Sequence, residues 1–584
     1  MKKIILHSLL ILSSTVINIA CLDVKDYEDG RISYEEIFQN DKKTAAYLNL
    51  CYSCIESFGM QYGGNTLLAG FSDEAQDAND VLSGNAYSWH NGRLTPYSNP
   101  INNGWWENYW SGIRYCNIFL ANIDQAKITL ESNRNSWKAQ AHALRAFYYL
   151  QLIKRFGGVP IATQPYPEKF DYSQIKKTSF SECAKLIFAD CDEALKASDA
   201  ELGWRAGNAD SDRGKFTKAV VHAIKSQTAL YAASPLWNDG TITWTDAATI
   251  TMTALNECLS HGYDLYRQQP GGAEGYSAYD VYFYTRSDVN GASDKETIYE
   301  SREQMSIYKY CGLPINNGVE KAGVCPSQEL VDAYETIDGV SPILGYSDNN
   351  HLQPIVNPNA TLYHADRPYE NRDPRMKASI YYNGALYNLA DPNSKVWTYK
   401  GGNCEISQTN ILYTRTGYYI RKFSHYGSNK NSNKDGYFKV FRLAELYLNA
   451  AEALNEASTT GKAPDKAVQA INAVRQRVNM PSIDSNISCD EFRLKVRNER
   501  RVELAFEEHR FYDVRRWKIL DQTDKTVTGM SCTNSNGKFT YKRYSVDNNR
   551  NAWTDKFLIF PIPGDEAIRL KDYTGISFQN PGWE

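Results

Sequence analysis

Apolar residues recur at helical spacing in several separate stretches of the chain. Ser33 stands where an N-cap is expected, just before the first of these stretches. The helices predicted in this way cover residues 34–52, 105–120, 136–156, 179–195, 217–234 and 441–454. Alanine at repeated helical positions lets such helices approach closely and pack in antiparallel pairs, as in tetratricopeptide-type solenoids. Long insertions separate the pairs, so the pattern predicts a mostly α-helical layered core without fixing the number of pairs.

Two stretches lose this periodicity. Residues 63–103 are rich in Gly, Asn, Ser and Asp, and a structureless loop of this length inside a compact protein is usually functional. Residues 262–438 are dominated by Tyr, Asn, Gly and Pro, with one strand-like piece at Lys295 to Arg302. We expect the second stretch to form a long irregular, loop-rich insertion with short strands, packed on the helical core.

A highly charged stretch, N-E-R-R-V-E-L-A-F-E-E-H-R-F-Y-D-V-R-R-W, runs from Asn498 to Trp517. Glu499, Glu503 and Glu507 are four residues apart, which places them on one stripe of a helix. The arginines expected to face this stripe are Arg500, Arg510, Arg515 and Arg516. The alternative is an acid–base pair with His509, but arginines would hold the carboxylates ionised and occupied. The pattern therefore favours a partly buried ionic lattice that fixes how helices dock.

The N-terminus has the features of a signal peptide over residues 1–20. Lys2 and Lys3 precede an apolar run that is too short to cross a membrane, and the small Ala20 is followed by Cys21. This arrangement looks like a bacterial lipoprotein box with Cys21 lipidated, and ordinary signal cleavage is the alternative. Acidic residues between 21 and 31 look like the tether that sends such lipoproteins to the cell surface.

Composition and the absence of known motifs exclude several classes of function for this protein. A formal net charge of −4 gives no basic footprint for nucleic acid. The phosphate-binding, zinc-protease, nucleophile-elbow and dinucleotide-binding motifs are all absent from the sequence. The flank of Cys51-x-x-Cys54 looks helical and no second such pair completes a zinc site, so we expect buried thiols and neither metal nor cofactor. The 41 tyrosines imply many rings at polar surfaces.

The loops place aromatic rings beside amides and guanidinium groups. A sugar ring stacks its C–H face on an aromatic ring, while Asn, Asp and Arg bind its hydroxyl rim. The residues predicted to bind ligand in this way are Trp89, Asn91, Asp73, Tyr284, Arg302, Tyr308 and Trp397. Trp89 ranks first because it lies far from any helical apolar stripe. For each ring, the alternative is an anchor that pins an irregular segment.

A catalytic role for Asp73 and Glu74 is the formal alternative in the early loop. A glycoside hydrolase needs two carboxylates but no local motif. Adjacent residues of an extended loop point to opposite sides, so these two are not expected to face each other.

Six sequence blocks, taken together, resemble the SusD/RagB family of surface glycan-binding lipoproteins of Bacteroidetes. In the C-terminal half they are the helix from Phe441, the charged stretch from Asn498, and F-L-I-F-P-I-P-G-D-E from Phe557 followed by Q-N-P-G-W. In the N-terminal half they are W-E-N-Y-W-S-G-I-R-Y-C-N, A-H-A-L-R-A-F-Y-Y-L with F-G-G-V-P, and R-G-K-F-T-K-A with L-Y-A-A-S-P-L. The resemblance covers nearly the whole mature chain, and the middle is the least matched.

The resemblance implies a single domain over residues 32–584 with about four tetratricopeptide-like helical pairs. The pairs are expected at about 32–261 and 439–520, the ligand-side insertion at about 262–438 and a family tail at 521–584. It implies a lipid-anchored protein on the outer surface of the outer membrane that binds an oligosaccharide and passes it to a SusC-type TonB-dependent transporter. No catalysis is expected. A peptide-binding protein of the RagB type and a surface glycoside hydrolase are the alternatives.

Overall fold

The computed structural model describes residues 33–79, 84–207, 212–268, 275–287, 294–546 and 550–584. Cys21, the predicted signal peptide and the predicted tether lie outside these residues. The α-helices of the described residues are α1 Tyr34–Ile37, α2 Asp41–Tyr52, α3 Asn85–His90, α4 Trp105–Asn122, α5 Glu131–Phe156, α6 Phe180–Leu195, α7 Lys218–Ala233, α8 Trp244–Ser260, α9 Ala278–Tyr282, α10 Ile307–Tyr310, α11 Gln328–Ala333, α12 Pro374–Ser379, α13 Leu443–Glu456, α14 Asp465–Arg477, α15 Cys489–Glu503, α16 His509–Arg516, α17 Leu520–Thr523 and α18 Gly564–Thr574.

The strands are short and scattered through the irregular regions. They are β1 Ala75–Asp77, β2 Thr297–Gln304, β3 Val324–Pro326, β4 Ile343–Tyr346, β5 Pro354–Val356, β6 Ile380–Tyr381, β7 Tyr419–Ile420, β8 Tyr437–Arg442, β9 Thr528–Ser535 and β10 Lys538–Ser545. They pair antiparallel as β1–β3, β2–β8, β4–β5, β6–β7 and β9–β10. The predicted strand near residue 297 is confirmed, whereas the helix predicted from Phe441 begins at Leu443 because residues 437–442 pair with β2.

Long helices that follow one another along the chain pack side by side. The pairs are α2 with α4, α5 with α6, α7 with α8 and α13 with α14, and each pair also contacts the next. Close approach is visible at Gly112 of α4, where a Cβ would lie 2.5 Å from the Tyr148 ring of α5. The Tyr148 hydroxyl in turn donates to the Cys51 carbonyl of α2 at 2.6 Å. The predicted mostly helical, tetratricopeptide-like architecture is confirmed.

The cysteines of the described residues are free thiols, and all except the half-buried Cys489 are buried. The prediction of buried thiols at Cys51 and Cys54 is therefore confirmed. Among the helices described, none combines the length and apolarity needed to cross a bilayer.

The buried ionic lattice centres on Glu503, at the end of α15. Its carboxylate accepts hydrogen bonds from Arg442 at 2.7 Å and Arg375 at 3.0 Å, and also from Arg477. The Glu503 side chain is fully buried. Burial acts to raise the pKa of Glu503, but Arg477, Arg442 and Arg375 hold that pKa well below its usual value. The carboxylate is therefore ionised and fully occupied.

The sequence predicted this lattice correctly but assigned its cations wrongly. Arg442 belongs to β8, Arg375 to α12 and Arg477 to α14, all distant in sequence from Glu503. The predicted arginines bind elsewhere: Arg500 and Arg516 to Asp513, Arg510 to Asp73, and Arg515 to the carbonyls of Phe511 and Phe557.

The reason for the wrong assignment is that the charged stretch is not one helix. Helix α15 ends at Glu503, and the chain then turns through left-handed backbone at Phe506 and Glu508 before α16 begins. Glu507 thus lies beyond the helix. It still joins the lattice, because Arg442 reaches it at 2.6 Å and Lys422 also at 2.6 Å.

Glu503→Ala should lower the free energy of unfolding by about 3–5 kcal/mol, because it leaves three buried guanidinium groups without their shared anion. The measurement is denaturant unfolding of purified protein. Glu193→Ala is the control, since Glu193 forms an exposed pair with Lys196 and such pairs contribute about 0–1 kcal/mol. Equal stability losses for the two variants would contradict the lattice assignment.

Candidate functional site

Trp89, the first-ranked ligand ring, lies in the core. It belongs to α3, is 1% exposed, and its indole N–H donates to the Phe71 carbonyl at 2.9 Å. The rings of Phe511, Phe557 and Phe560 surround it at 5.7–5.8 Å. A ring enclosed in this way offers no face to a sugar, so the structure overturns this assignment. The spacing of Ala86, Trp89 and His90 is itself that of a short helical face, a signal that was present in the sequence.

Asn91 follows Trp89 and is half-buried. Its side-chain amide donates to the Tyr87 carbonyl at 2.8 Å, four residues earlier in the chain. This contact closes the end of α3. The Asn91 side chain therefore stabilises the end of α3 and does not belong to an exposed surface.

Asp73 and Glu74 are buried structural acids. Asp73 accepts hydrogen bonds from Arg510 at 2.8 and 2.7 Å and from Arg501 at 2.8 Å. Burial acts to raise the Asp73 pKa, but Arg501 and Arg510 lower it to about 2. Glu74 accepts the backbone N–H of Phe506 at 3.1 Å, inside the left-handed turn after α15. The proposal of Asp73 as a ligand contact is overturned, because both of its oxygens bind arginine.

The buried Asp435 binds the backbone of Tyr308 and of His425, and the His425 ring contacts Tyr284. The Asp435 carboxylate accepts the backbone N–H of Tyr308 at 2.8 Å and that of His425 at 2.9 Å. The His425 ring stacks on Tyr426 at 4.5 Å and meets the edge of Tyr284 at 5.3 Å. Burial raises the Asp435 pKa to about 6. Tyr284 and Tyr308 are half-buried and Tyr426 is exposed, so some aromatic surface remains accessible here.

Arg302 is an exposed residue near the end of β2. Its side chain packs over Gly214, where a Cβ would approach the Arg302 side chain to 2.8 Å. Its backbone carbonyl accepts a hydrogen bond from Arg213 at 3.1 Å. No described residue forms an ion pair with the Arg302 guanidinium group. Among the described residues, no hydrogen bond or ring contact joins Arg302 to Tyr308 or Trp397.

Trp397 is part of a partly exposed group of three rings, which we call the Trp397 platform: Trp397, Tyr399 and Phe539. Trp397 stacks on Phe539 at 5.4 Å with an interplanar angle of 22°. Tyr399 lies 5.8 Å from Trp397 and 5.9 Å from Phe539. All three rings are half-buried, and the Lys395 ammonium lies 5.6 Å from the centre of the Trp397 ring.

Phe539 was missed by the sequence reasoning. It comes from strand β10, where half-buried and exposed residues alternate. This period of two is the signal that could have found it, since it places Phe539 and Tyr541 on one face of the strand. The contact with Trp397, by contrast, joins segments that are far apart in the chain.

The loop that carries the Trp397 platform is tightly folded. The Trp397 backbone N–H donates to the Asn403 side chain at 2.8 Å, and Asn403 donates to the Lys395 carbonyl at 2.9 Å. Gly402 lies so close that a Cβ would come within 2.4 Å of the Trp397 carbonyl oxygen. Below the loop, Val396 and Cys404 belong to a small apolar cluster. The rings are therefore presented from a fixed backbone.

This arrangement suits stacking against a flat, weakly polar ligand face with polar groups at its rim. The described residues contain no cluster of His, Cys, Asp and Glu that could hold a metal ion.

Glu74→Gln should stabilise the protein at pH 8 and have a smaller effect at pH 5. Burial raises the Glu74 pKa to about 7, above its unfolded value, so the native state binds a proton that is lost as pH rises through 7. Glutamine mimics the protonated acid and keeps the acceptor for Phe506. The measurement is the melting temperature at both pH values. Lower stability than wild type at pH 8 would contradict the raised pKa of Glu74.

Comparisons with known proteins agree with this fold. The sequence profile of a family described as the SusD family matches residues 284–583, and one described as "Starch-binding associating with outer membrane" matches residues 22–201. SusD-like protein P2 of Formosa agariphila is 23% identical over 581 residues, which cover 97% of each chain.

Solved structures share the architecture along nearly the whole chain. A SusD-like protein from Bacteroides fragilis superposes with a TM-score of 0.74 at 25% identity, covering 94% of this chain and 98% of that one. A laminarin-binding SusD-like protein has the same fold, with a TM-score of 0.56 at 22% identity and coverage of 93% and 100%. The family profile covers just over half of the chain and the full-length relatives cover nearly all of it, so the protein belongs to the SusD family.

Proposed function

We propose that this protein captures an oligosaccharide at the cell surface through the Trp397 platform and delivers it to a SusC-type TonB-dependent transporter. The observation that carries the proposal is the platform itself: three contacting, partly exposed rings on a fixed loop of the irregular insertion and the adjacent hairpin. The protein acts as a binding protein and performs no catalysis.

The platform has the chemistry of a sugar-binding surface. A pyranose stacks its C–H face on an aromatic ring, and the outward-facing parts of these three rings, whose centres lie 5.4–5.9 Å apart, are available for this contact. Lys395 and Asn403 are exposed beside Trp397 and supply donors for hydroxyl groups. An open surface of this kind implies weak binding, with Kd in the micromolar to millimolar range, about −4 to −8 kcal/mol.

A second group of rings lies around Tyr284, with the exposed Tyr426 and the buried Tyr276 as members. Tyr276 stacks on Tyr426 at 5.8 Å, and the Tyr276 hydroxyl accepts the backbone N–H of Leu389 at 3.1 Å. Leu389 lies in the same loop that reaches Trp397. One segment thus supports both ring groups, which favours a ligand that is a chain rather than a single sugar.

The relatives support a glucan as the first ligand to test. One structural neighbour carries laminarin binding in its name, and one family description carries starch binding. Both are glucose polymers that present hydroxyl-rimmed rings. The test panel therefore begins with laminarin and soluble starch, and includes peptides as the alternative ligand class.

Trp397→Ala should weaken binding to the polysaccharide that the wild type recognises by about 30-fold, since loss of a central ring commonly costs about 2 kcal/mol. Binding is measured by a glycan array followed by calorimetry. Tyr399→Ala and Phe539→Ala should act in the same direction.

Tyr172→Ala is the matched control for this experiment. Tyr172 is also an exposed ring in a stacked pair, with Tyr573 at 5.1 Å, but it lies outside the insertion. Normal affinity in all three platform variants, with folding confirmed by melting, would reject the platform. Release of new reducing ends would instead indicate a hydrolase.

Cys21 is proposed to be the lipidated N-terminus of the mature protein. Wild-type protein should be found in the outer-membrane fraction with an acylated Cys21, and a tagged form should co-purify with a TonB-dependent receptor. Cys21→Ala should leave the membrane fraction, because acyl chains supply the stable anchor. An unmodified N-terminus would contradict the lipid anchor. Purification of the tagged protein without a receptor would contradict the transporter partner.

A further inference from the structure

A cleft of about 360 Å³ lies between the loop of residues 95–103 and the C-terminal segment 561–569. Helix α4 begins on one side of it and α18 on the other. None of its lining residues belongs to the Trp397 platform or to the ring group around Tyr426. The cleft therefore is a separate feature of the surface.

An exposed ring forms one wall of this cleft. Tyr97 is 69% exposed, and its ring lies on the backbone of Gly564, where a Cβ would come within 2.3 Å of the ring. The Gly564 N–H donates to the Pro96 carbonyl at 2.8 Å, which fixes the two segments together. Gly564 thus lets the ring lie flat against the backbone while its other face stays open.

Three asparagines supply oriented donors along the loop. The side-chain oxygen of Asn99 accepts the N–H of Ile101 at 2.9 Å, that of Asn102 accepts Gly104 at 2.7 Å, and that of Asn103 accepts Asn99 at 2.5 Å. Each side-chain oxygen accepts a backbone N–H. The NH₂ groups of the three asparagines donate to no described residue. These groups can donate to a ligand without rearrangement.

Carboxylates supply the matching acceptors. Glu107 and Asp565 line the cleft and form no ion pair or hydrogen bond with any described residue, while Glu566 pairs with Arg569 at 2.6 Å. The cleft thus carries acceptors and donors side by side, with an excess of negative charge that disfavours an anionic ligand.

We infer that this cleft, the Tyr97 cleft, is a second carbohydrate subsite for a neutral sugar. Vicinal hydroxyls each donate one hydrogen bond and accept another, which matches carboxylates next to amide NH₂ groups, and the Tyr97 face receives the C–H face of the sugar. Clefts that bind small molecules span about 300–1,000 Å³, so the Tyr97 cleft fits a short segment of one or two sugar residues. The inference rests on the proposed function, because it assigns a second site for the same class of ligand.

The test uses the Trp397→Ala protein, so that binding at the Tyr97 cleft is seen alone. The probes are laminaritriose and maltotriose, followed by saturation-transfer NMR, together with laminarin and soluble starch on the array. Trp397→Ala should retain trisaccharide binding, and Trp397→Ala combined with Tyr97→Ala should lose it by about tenfold or more. Tyr97→Phe is the matched variant and should retain it, because the stacking face is kept.

Each outcome decides the inference. Equal trisaccharide binding with and without Tyr97, or none in Trp397→Ala, overturns the Tyr97 cleft. The comparison of Trp397→Ala with the wild type decides the Trp397 platform separately. Loss of binding on Tyr97→Ala alone, with Trp397→Ala unaffected, supports the Tyr97 cleft and rejects the platform. If the wild type binds none of the probes, both are rejected. Gly564→Ala, which displaces the Tyr97 ring, should behave like Tyr97→Ala wherever it folds.

Discussion

The buried carboxylate of Glu503 is the constraint on which much of this fold depends. It binds guanidinium groups from three segments, the β8 strand, α12 and α14, all of them withdrawn from water. The free energy needed to remove these charges from water cancels most of their attraction. The ion pairs therefore determine how the segments dock and add little net stability. Any packing that separates one segment from the others leaves an unpaired buried charge, so the ion pairs favour this docking of the helical array and the irregular insertion over others.

The same lattice secures the insertion that carries the ring surface. Arg375 lies just before β6, and Lys422 lies just after β7. Arg375 contacts Glu503, and Lys422 contacts Glu507 at 2.6 Å. The segment between β6 and β7, with Trp397 and Tyr399 on it, is therefore anchored to the charged core at both ends. This segment has an irregular sequence, but both of its ends are attached to the charged core.

The sequence predicted the features that depend on the spacing of residues within one segment. Helix pairs follow from apolar periods within each helix, and the burial of the charged stretch follows from its mixture of acids, arginines and aromatic residues. The partners of those acids were not predictable, because Arg375 and Arg442 come from other elements. Trp89 was misplaced for a related reason: its polar surroundings, such as Asp73, are themselves buried by distant arginines. The Trp397 platform needs Phe539, which no local pattern joins to Trp397.

The fixed backbone at Gly402 and Asn403 has a kinetic consequence. Rings that are already in place need no loop closure before the ligand binds, and no loop has to open before it leaves. For the proposed sugar ligand, an association rate constant of about 10⁶ M⁻¹ s⁻¹ and a Kd of about 1 μM to 1 mM give a bound lifetime of about a second to a millisecond. On the proposed function, the Trp397 platform exchanges its ligand quickly, and release is not the slow step of the onward transfer.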